Sequence, residues 1–123
     1  MKVKSLIGLI GVLVFFASDV YAQYVCEGDC VNGYGLKKVQ GSTSHMKGKF
    51  KDGVLVEGTV AFSNGDVFAG KFKDNFLEKG SKLFHTGKRM EGSFYQNILV
   101  DGKITEPDGS SRIIKLKRMG VGD

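Results

Sequence analysis

The segment GDVFAGKFKDNFLEKGSKLFHT, residues 65–86, sets a pattern that recurs along the chain. It returns with a period of 22 residues as GKRMEGSFYQNILVDGKITEPD at 87–108, and a partial unit follows at 109–117. It is preceded by GSTSHMKGKFKDGVLVEGTVAFSN at 41–64, which carries two extra residues after Gly41. A fixed period of this length indicates a repeat architecture. Three columns carry the period: Gly48, Gly70 and Gly92; Gly58, Gly80 and Gly102; and Phe50, Phe72 and Phe94.

Within a unit the side chains alternate with a period of two. Phe68, Gly70 and Phe72 are expected on one face of the first strand, and Lys71 and Lys73 on the other. Such alternation is typical of a half-buried β-strand. The second half of the unit repeats it, with one face predicted to carry Val56, Gly58, Val60 and Phe62, and later Val100, Gly102 and Ile104.

Turn signals rich in glycine and asparagine separate these strands. Asp52-Gly53, Asn64-Gly65 and Asp74-Asn75 are examples, and glycine and asparagine accept the positive φ that tight turns need. Each unit is therefore predicted to be a β-hairpin. Side by side, the hairpins form an all-β fold with one elongated, curved antiparallel sheet.

The predicted core is a row of phenylalanines against glycine backbone. A glycine between two large residues is expected to leave room for the aromatic ring of the next strand, so that the phenylalanines stack in a row. Each buried phenylalanine contributes roughly 1.5–3 kcal/mol. The proposed core comprises Phe50, Phe68, Phe72, Phe94, Gly48, Gly58, Gly70, Gly80, Gly92 and Gly102.

Lys82 departs from the alternation, because it occupies the position of Val60 and Ile104 in the other units. Leu83 is consequently expected on the opposite face. We expect the Lys82 stem to lie on the apolar face with its ammonium in solvent. The alternative is a charge that faces a groove.

Residues 1–22 have the features of a secretory signal peptide. Lys2 and Lys4 precede a short apolar run at 6–17, and Val20-Tyr21-Ala22 suits cleavage after Ala22. The alternative, a membrane anchor, needs about 20 apolar residues. Cleavage removes Lys2, Lys4 and Asp19, which changes the formal net charge from +5 to +4. The chain is thus predicted to be secreted or periplasmic.

Cys26 and Cys30 are the only cysteines. In an oxidising compartment they are expected to form a local disulfide. By restricting the unfolded chain, a bridge across so short a loop stabilises the folded state by about 2 kcal/mol. Free thiols and a metal or redox role are the alternatives. Two thiolates fall short of the four ligands that zinc takes. Residues 23–40 are predicted to be a cysteine-containing cap with a partial repeat, and residues 118–123 a tail.

The repeats resemble the MORN (membrane occupation and recognition nexus) family. The resemblance is carried by Phe68-Ala69-Gly70-Lys71-Phe72 and Met90-Glu91-Gly92-Ser93-Phe94, more loosely by the segment 46–50, and by Asn32-Gly33-Tyr34-Gly35. It spans residues 30–117 and implies a sheet of hairpins and attachment to membranes. The chain departs from the family at the leading tyrosine, replaced by Met46, Phe68, Met90 and Arg112, and at the first glycine of Gly-x-Gly, replaced by Val56, Glu78 and Val100.

The sequence contains no pattern typical of an enzyme or of a cofactor site. His45 and His85 are isolated in the sequence, and catalytic roles need partners within hydrogen-bond reach. The leading hypothesis is a non-catalytic scaffold that binds an unidentified protein partner. The alternative is attachment to an anionic membrane surface, at about 1 kcal/mol per lysine. It would use Lys47, Lys49, Lys51, Lys71 and Lys73. Scattered charge makes nucleic acid an unexpected partner.

Overall fold

A computed structural model describes residues 23–116, which form nine strands of one antiparallel sheet in chain order and no helix. The predicted all-β architecture of adjoining hairpins is confirmed. The predicted signal peptide, residues 1–22, and the chain from Lys117 onward lie outside the described residues. The strands are β1 Tyr24–Gly28, β2 Gly33–Val39, β3 His45–Lys51, β4 Val54–Ala61, β5 Val67–Lys73, β6 Phe76–Leu83, β7 Arg89–Tyr95, β8 Ile98–Thr105 and β9 Ser111–Lys115.

Two kinds of turn alternate along the repeats. Tight two-residue turns join the strands of each unit, and both residues of each turn have positive φ: Asp52-Gly53, Asp74-Asn75 and Gln96-Asn97. This geometry is that of a type I′ turn, whose twist matches that of the flanking strands. Wider turns join one unit to the next, as where the Phe62 amide donates to the Asp66 carbonyl at 2.9 Å. The tight turns therefore all lie at the same end of the strands, and the wider turns lie at the other end.

A continuous line of glycines crosses the sheet from β1 to β8. Each glycine is the register partner of the next, and the line ends where Gly102 faces Ile114 of β9. Its members are Gly28, Gly35, Gly48, Gly58, Gly70, Gly80, Gly92 and Gly102.

The physical reason for these glycines differs from the one expected from the sequence. A Cβ on Gly80 would fall on the carbonyl oxygen of Ala69 and lie 2.8 Å from the Cα of Gly70. The glycines thus permit close approach of two backbones, and the nearest obstacles are not aromatic rings. Gly80 also has a φ of 150°, in a region that is essentially restricted to glycine. Both constraints recur at Gly48, Gly58, Gly70 and Gly92.

A β-bulge in each repeat builds a leucine column that the alternation did not predict. The pairing register shifts just before Phe50, Phe72 and Phe94, so that each phenylalanine faces a leucine of the next strand. The predicted alternation in the second strand is therefore interrupted before Gly58, where Val56 has no register partner. Those leucines are nearly inaccessible to solvent: Leu55 (5% exposed), Leu77 (2%) and Leu99 (3%).

The predicted stack of phenylalanines is wrong in detail. Phe50 and Phe94 are buried, but they belong to two separate clusters, and half-buried Phe72 packs against both. Phe68 instead forms ring-to-ring contacts with Phe62 and with Phe84. Leucines intervene between the members of the predicted row because the bulges turn them onto this face. We call this face, which carries the glycine line and both clusters, the core face.

The glycine line predicts two different costs for replacing glycine by alanine. Gly80→Ala should lower the free energy of unfolding by roughly 3 kcal/mol or more, because it adds a backbone clash to an unfavourable φ. Gly53→Ala is the matched control, since Gly53 has positive φ but no atom within 4 Å of the added Cβ. It should cost about 1 kcal/mol. Urea unfolding measures both, and equal losses would contradict the close-approach explanation.

The leucine column predicts a second contrast, between two leucines of the same strand. Leu77→Ala should destabilise the protein by about 2–5 kcal/mol through the cavity it leaves. Leu83→Ala should change stability by less than about 0.5 kcal/mol, since Leu83 is 42% exposed. Chemical denaturation of both variants decides the matter, and similar losses would rule out the bulged register.

Candidate functional site

The tight turns present a second apolar column, directly beside the leucines but exposed. Val54, Phe76 and Ile98 occupy equivalent positions in the three units and are 39%, 40% and 59% exposed. Each is the residue immediately before a buried leucine of the core. Packing in the buried core therefore does not explain why these three positions are apolar. We call the three tight turns and the strand residues next to them the tip edge.

The tip edge combines exposed apolar side chains with balanced charge. Val54 faces Lys51, Phe76 faces Lys73, and Ile98 faces Tyr95 in the register. Segments 49–57, 71–79 and 93–101 together contain five lysines and five carboxylates. The carboxylates are Asp52, Glu57, Asp74, Glu78 and Asp101. Charge alone therefore does not select a partner for this edge.

The five lysines predicted to contact a membrane are all exposed: Lys47, Lys49, Lys51, Lys71 and Lys73. They alternate with the core residues and so lie on the face opposite the core face. Glu57 stands between Lys49 and Lys71 in the register, and Lys47 faces Thr59. The five lysines are therefore brought onto one face, with a carboxylate among them.

A groove of about 330 Å³ lies on the core face. Phenylalanines and aliphatic side chains form most of its wall, and asparagines of two tight turns complete it. Phe76 belongs to both the groove and the tip edge. The groove is lined by Met46, Leu55, Val60, Phe62, Phe68, Phe72, Asn75, Phe76, Leu77 and Asn97.

Lys82 lies beside this groove and is buried, with 5% of its surface exposed. Its Nζ lies 4.8 Å from the centre of the Phe68 ring and 5.0 Å from that of Phe94. It donates to the Oδ1 and backbone carbonyl of Asn97 at 3.3 and 3.4 Å. The expected snorkelling of Lys82 is therefore wrong. The tight turn of the next hairpin lies over the ammonium and excludes solvent from it.

No carboxylate of residues 23–116 forms an ion pair with the buried charge. None of the ion pairs within residues 23–116 includes Lys82, and its contacts, Phe68, Phe94 and Asn97, are all uncharged. Desolvation lowers the pKa of Lys82 from its ordinary value. Ring quadrupoles and carbonyl dipoles stabilise a cation less than a carboxylate does. This site is therefore electrostatically incomplete.

The cysteines form the predicted disulfide between Cys26 and Cys30. Cys30 follows Gly28 of the glycine line by two residues, just as Phe50 follows Gly48. It is buried and packs with Phe50 and Leu55. The bridge thus closes one end of the core, and it is compatible with an exported protein.

His85 has a partner that its isolation in the sequence concealed. Oδ1 of Asp66 accepts a hydrogen bond from the His85 backbone amide at 2.8 Å. The same oxygen contacts Nδ1 of the His85 ring at 2.9 Å. The side-chain hydrogen bond from His85 lowers the pKa of Asp66. No serine, threonine or cysteine within 23–116 bonds to the His85 ring. The pair thus links two wide turns.

Residues 23–116 contain no group of three or more histidine, cysteine, aspartate or glutamate residues able to hold a metal ion. They also contain no helix of the length and hydropathy needed to span a membrane.

Comparison with known proteins adds no assignment. The chain matches no protein-family model and has no significant match among curated proteins.

Sequence reasoning overlooked two columns and one contact. The exposed column and the leucine column both recur at the 22-residue period, so aligning every position of the repeats reveals them. Because the two columns occupy adjacent positions, strict alternation places them on opposite faces of the sheet. It does not say which of the two columns is buried. The contact of Lys82 with Asn97 joins residues 15 apart across two hairpins, and no local pattern indicates it.

Burial of Lys82 predicts a particular dependence of stability on pH. With its pKa lowered in the folded state, the unfolded chain binds more protons between that pKa and the ordinary value of 10.5. The free energy of unfolding should therefore contain a contribution that rises with pH across this window. Lys82→Met should remove it, and exposed Lys79→Met should not. Urea titrations at several pH values compare the variants, and parallel curves for wild type and Lys82→Met would refute the prediction.

Proposed function

We propose that the protein is a non-catalytic scaffold that binds a protein partner through its tip edge. The observation that carries the proposal is the exposed column of Val54, Phe76 and Ile98 beside the buried leucines. Three equivalent apolar side chains on the surface, held by a rigid ladder of hairpins, form a repeated contact surface. Apolar residues gathered in this way are a mark of interaction sites.

The charge balance of the tip edge is compatible with a protein partner. The centre of a protein interface is apolar and depleted in charged residues, with a polar rim. The three exposed apolar side chains recur on every second strand, with Lys73 and Tyr95 on the strands between them. They supply apolar contacts for such an interface, and the lysines and carboxylates around them supply polar ones. Asp52 and Asp74 lie in the tight turns themselves, where an anionic membrane would repel them.

Attachment to an anionic membrane is the second candidate. In its favour, Lys51 and Lys73 are the register partners of Val54 and Phe76, so cations flank apolar side chains. Apolar contact combined with electrostatic attraction is how interfacial segments bind lipid. We also propose that the protein is a member of the MORN family and that it is exported with cleavage after Ala22. These two proposals are supported by the repeat motifs and by the Cys26–Cys30 disulfide.

Removing the apolar column should abolish partner binding without unfolding the protein. The variant Val54→Thr/Phe76→Thr/Ile98→Thr keeps residues that favour strands. Each hot-spot side chain contributes about 2 kcal/mol or more, so the loss in affinity should exceed roughly 100-fold. The measurement is affinity enrichment from cell-envelope extract with quantitative mass spectrometry, followed by titration of the purified partner.

The control variant is Leu83→Thr/Ile113→Thr, which removes exposed apolar side chains away from the tight turns. It should bind the partner like wild type. Retention of the partner by the triple variant would overturn the protein-scaffold proposal. Binding to phosphatidylserine vesicles that disappears between low and physiological salt, and that Lys51→Ser/Lys73→Ser weakens, would favour the membrane candidate.

A further inference from the structure

The buried ammonium of Lys82 is not required by the fold. Val60 and Ile104 hold the equivalent register positions, opposite Met46 and Met90. An aliphatic side chain therefore satisfies the sheet at this point. Burying an unpaired cation costs free energy that an aliphatic residue would not. A costly charge at a position where the repeat accepts aliphatic residues points to a role beyond packing.

Lys82 and the groove share two residues. Phe68 and Asn97 line the groove, and the same two residues contact the Lys82 ammonium. The ammonium therefore lies immediately behind one part of a mainly apolar wall, although Lys82 itself does not line the groove. An apolar ligand that carries one anion can use both features, with its body on the aromatic side chains and its charge on Lys82.

We propose that the groove on the core face binds a small amphiphile with a single carboxylate on an apolar body. Lys82 receives the carboxylate. Small-molecule sites enclose roughly 300–1,000 Å³ and are mainly apolar with a few placed polar groups. The groove, at about 330 Å³, lies at the lower end of this range and suits one unbranched chain.

Asn97 holds the place of the carboxylate in the unliganded protein. Its Oδ1 lies 3.3 Å from Lys82 Nζ, longer than the usual range for hydrogen bonds from nitrogen, which ends near about 3.2 Å. Asn97 is exposed, so its side chain can turn outward. A carboxylate in its position forms a shorter, charge-assisted hydrogen bond with the ammonium. The equivalent residue of the first hairpin is Gly53, so the tight turn does not require the amide.

Decanoate, below its micelle concentration, is the probe for this site. Isothermal titration calorimetry of residues 23–123 should show one site, and decanol, which lacks the charge, should bind more weakly. Lys82→Met should weaken decanoate roughly ten- to 100-fold, the value of a hydrogen bond between charged groups. Unchanged or raised stability of this variant excludes unfolding as the cause of the loss. The matched control Lys79→Met, an exposed lysine of the same strand, should bind like wild type.

Two variants at Asn97 test directly whether its side chain occupies the position of the carboxylate. Asn97→Asp puts a carboxylate on Lys82 from within the chain and should abolish decanoate binding. Asn97→Gly removes the side-chain acceptor, leaves only the backbone carbonyl on the ammonium, and should retain or strengthen decanoate binding. Equal binding by these two variants, equal affinity for decanol and decanoate, or no binding of decanoate to wild type would each overturn the proposal.

The site is independent of partner binding at the tip edge. Val54 and Ile98 do not line the groove. The variant Val54→Thr/Ile98→Thr should therefore bind decanoate normally even if it loses its protein partner. Loss of decanoate binding in this variant would contradict the assignment of the groove.

Discussion

The close approach of paired glycine backbones is the constraint on which the rest of the structure depends. Gly80 and Gly70, like the corresponding pairs of the first and third hairpins, leave no volume for a Cβ. Their φ angles near 140–150° differ from those of an ordinary antiparallel strand. The sheet is also bent, as one contact shows. In a flat sheet Asn97, which follows the end of β7, would lie about 23 Å from Met90, the register partner of Lys82. Lys82 Nζ instead lies 3.3 Å from Asn97 Oδ1, although a lysine side chain is too short to span such a separation. The strands therefore fold toward the core face.

This bend explains how a single open sheet obtains a core. A flat sheet of one layer buries neither face, whereas here the tight turn at Asn97 lies over Lys82 on the core face and the leucine column is nearly inaccessible to solvent. The bulges before Phe50, Phe72 and Phe94 contribute by turning each leucine toward the same side. Because each hairpin contacts mainly its neighbours, stability is close to a sum of local terms. Cys30 completes the first cluster at the end of the ladder, where no preceding phenylalanine is present among the described residues.

The hairpins could be predicted from the sequence because their determinants are local. Alternation over a few residues, and glycine or asparagine at the turns, specify strand and turn without reference to distant residues. The bulges could not, because Leu55 follows Val54 and both suit a strand; only the cross-strand register decides which is buried. The same limit applies to the candidate sites. The positions of the lysines followed from alternation, whereas the burial of Lys82 depends on a turn 15 residues away.

Lys82 is the place where the second unit departs from the repeat rule. At Val60 and Ile104 the chain fills the equivalent space with aliphatic side chains. At Lys82 it places a cation between two aromatic rings and a turn amide, at a cost in desolvation that lowers the pKa of the lysine. Local departures from a consistent pattern are characteristic of functional positions, where stability is given up for a specific interaction. The repeat reveals this departure, because the equivalent positions of the neighbouring units show which residues packing alone requires.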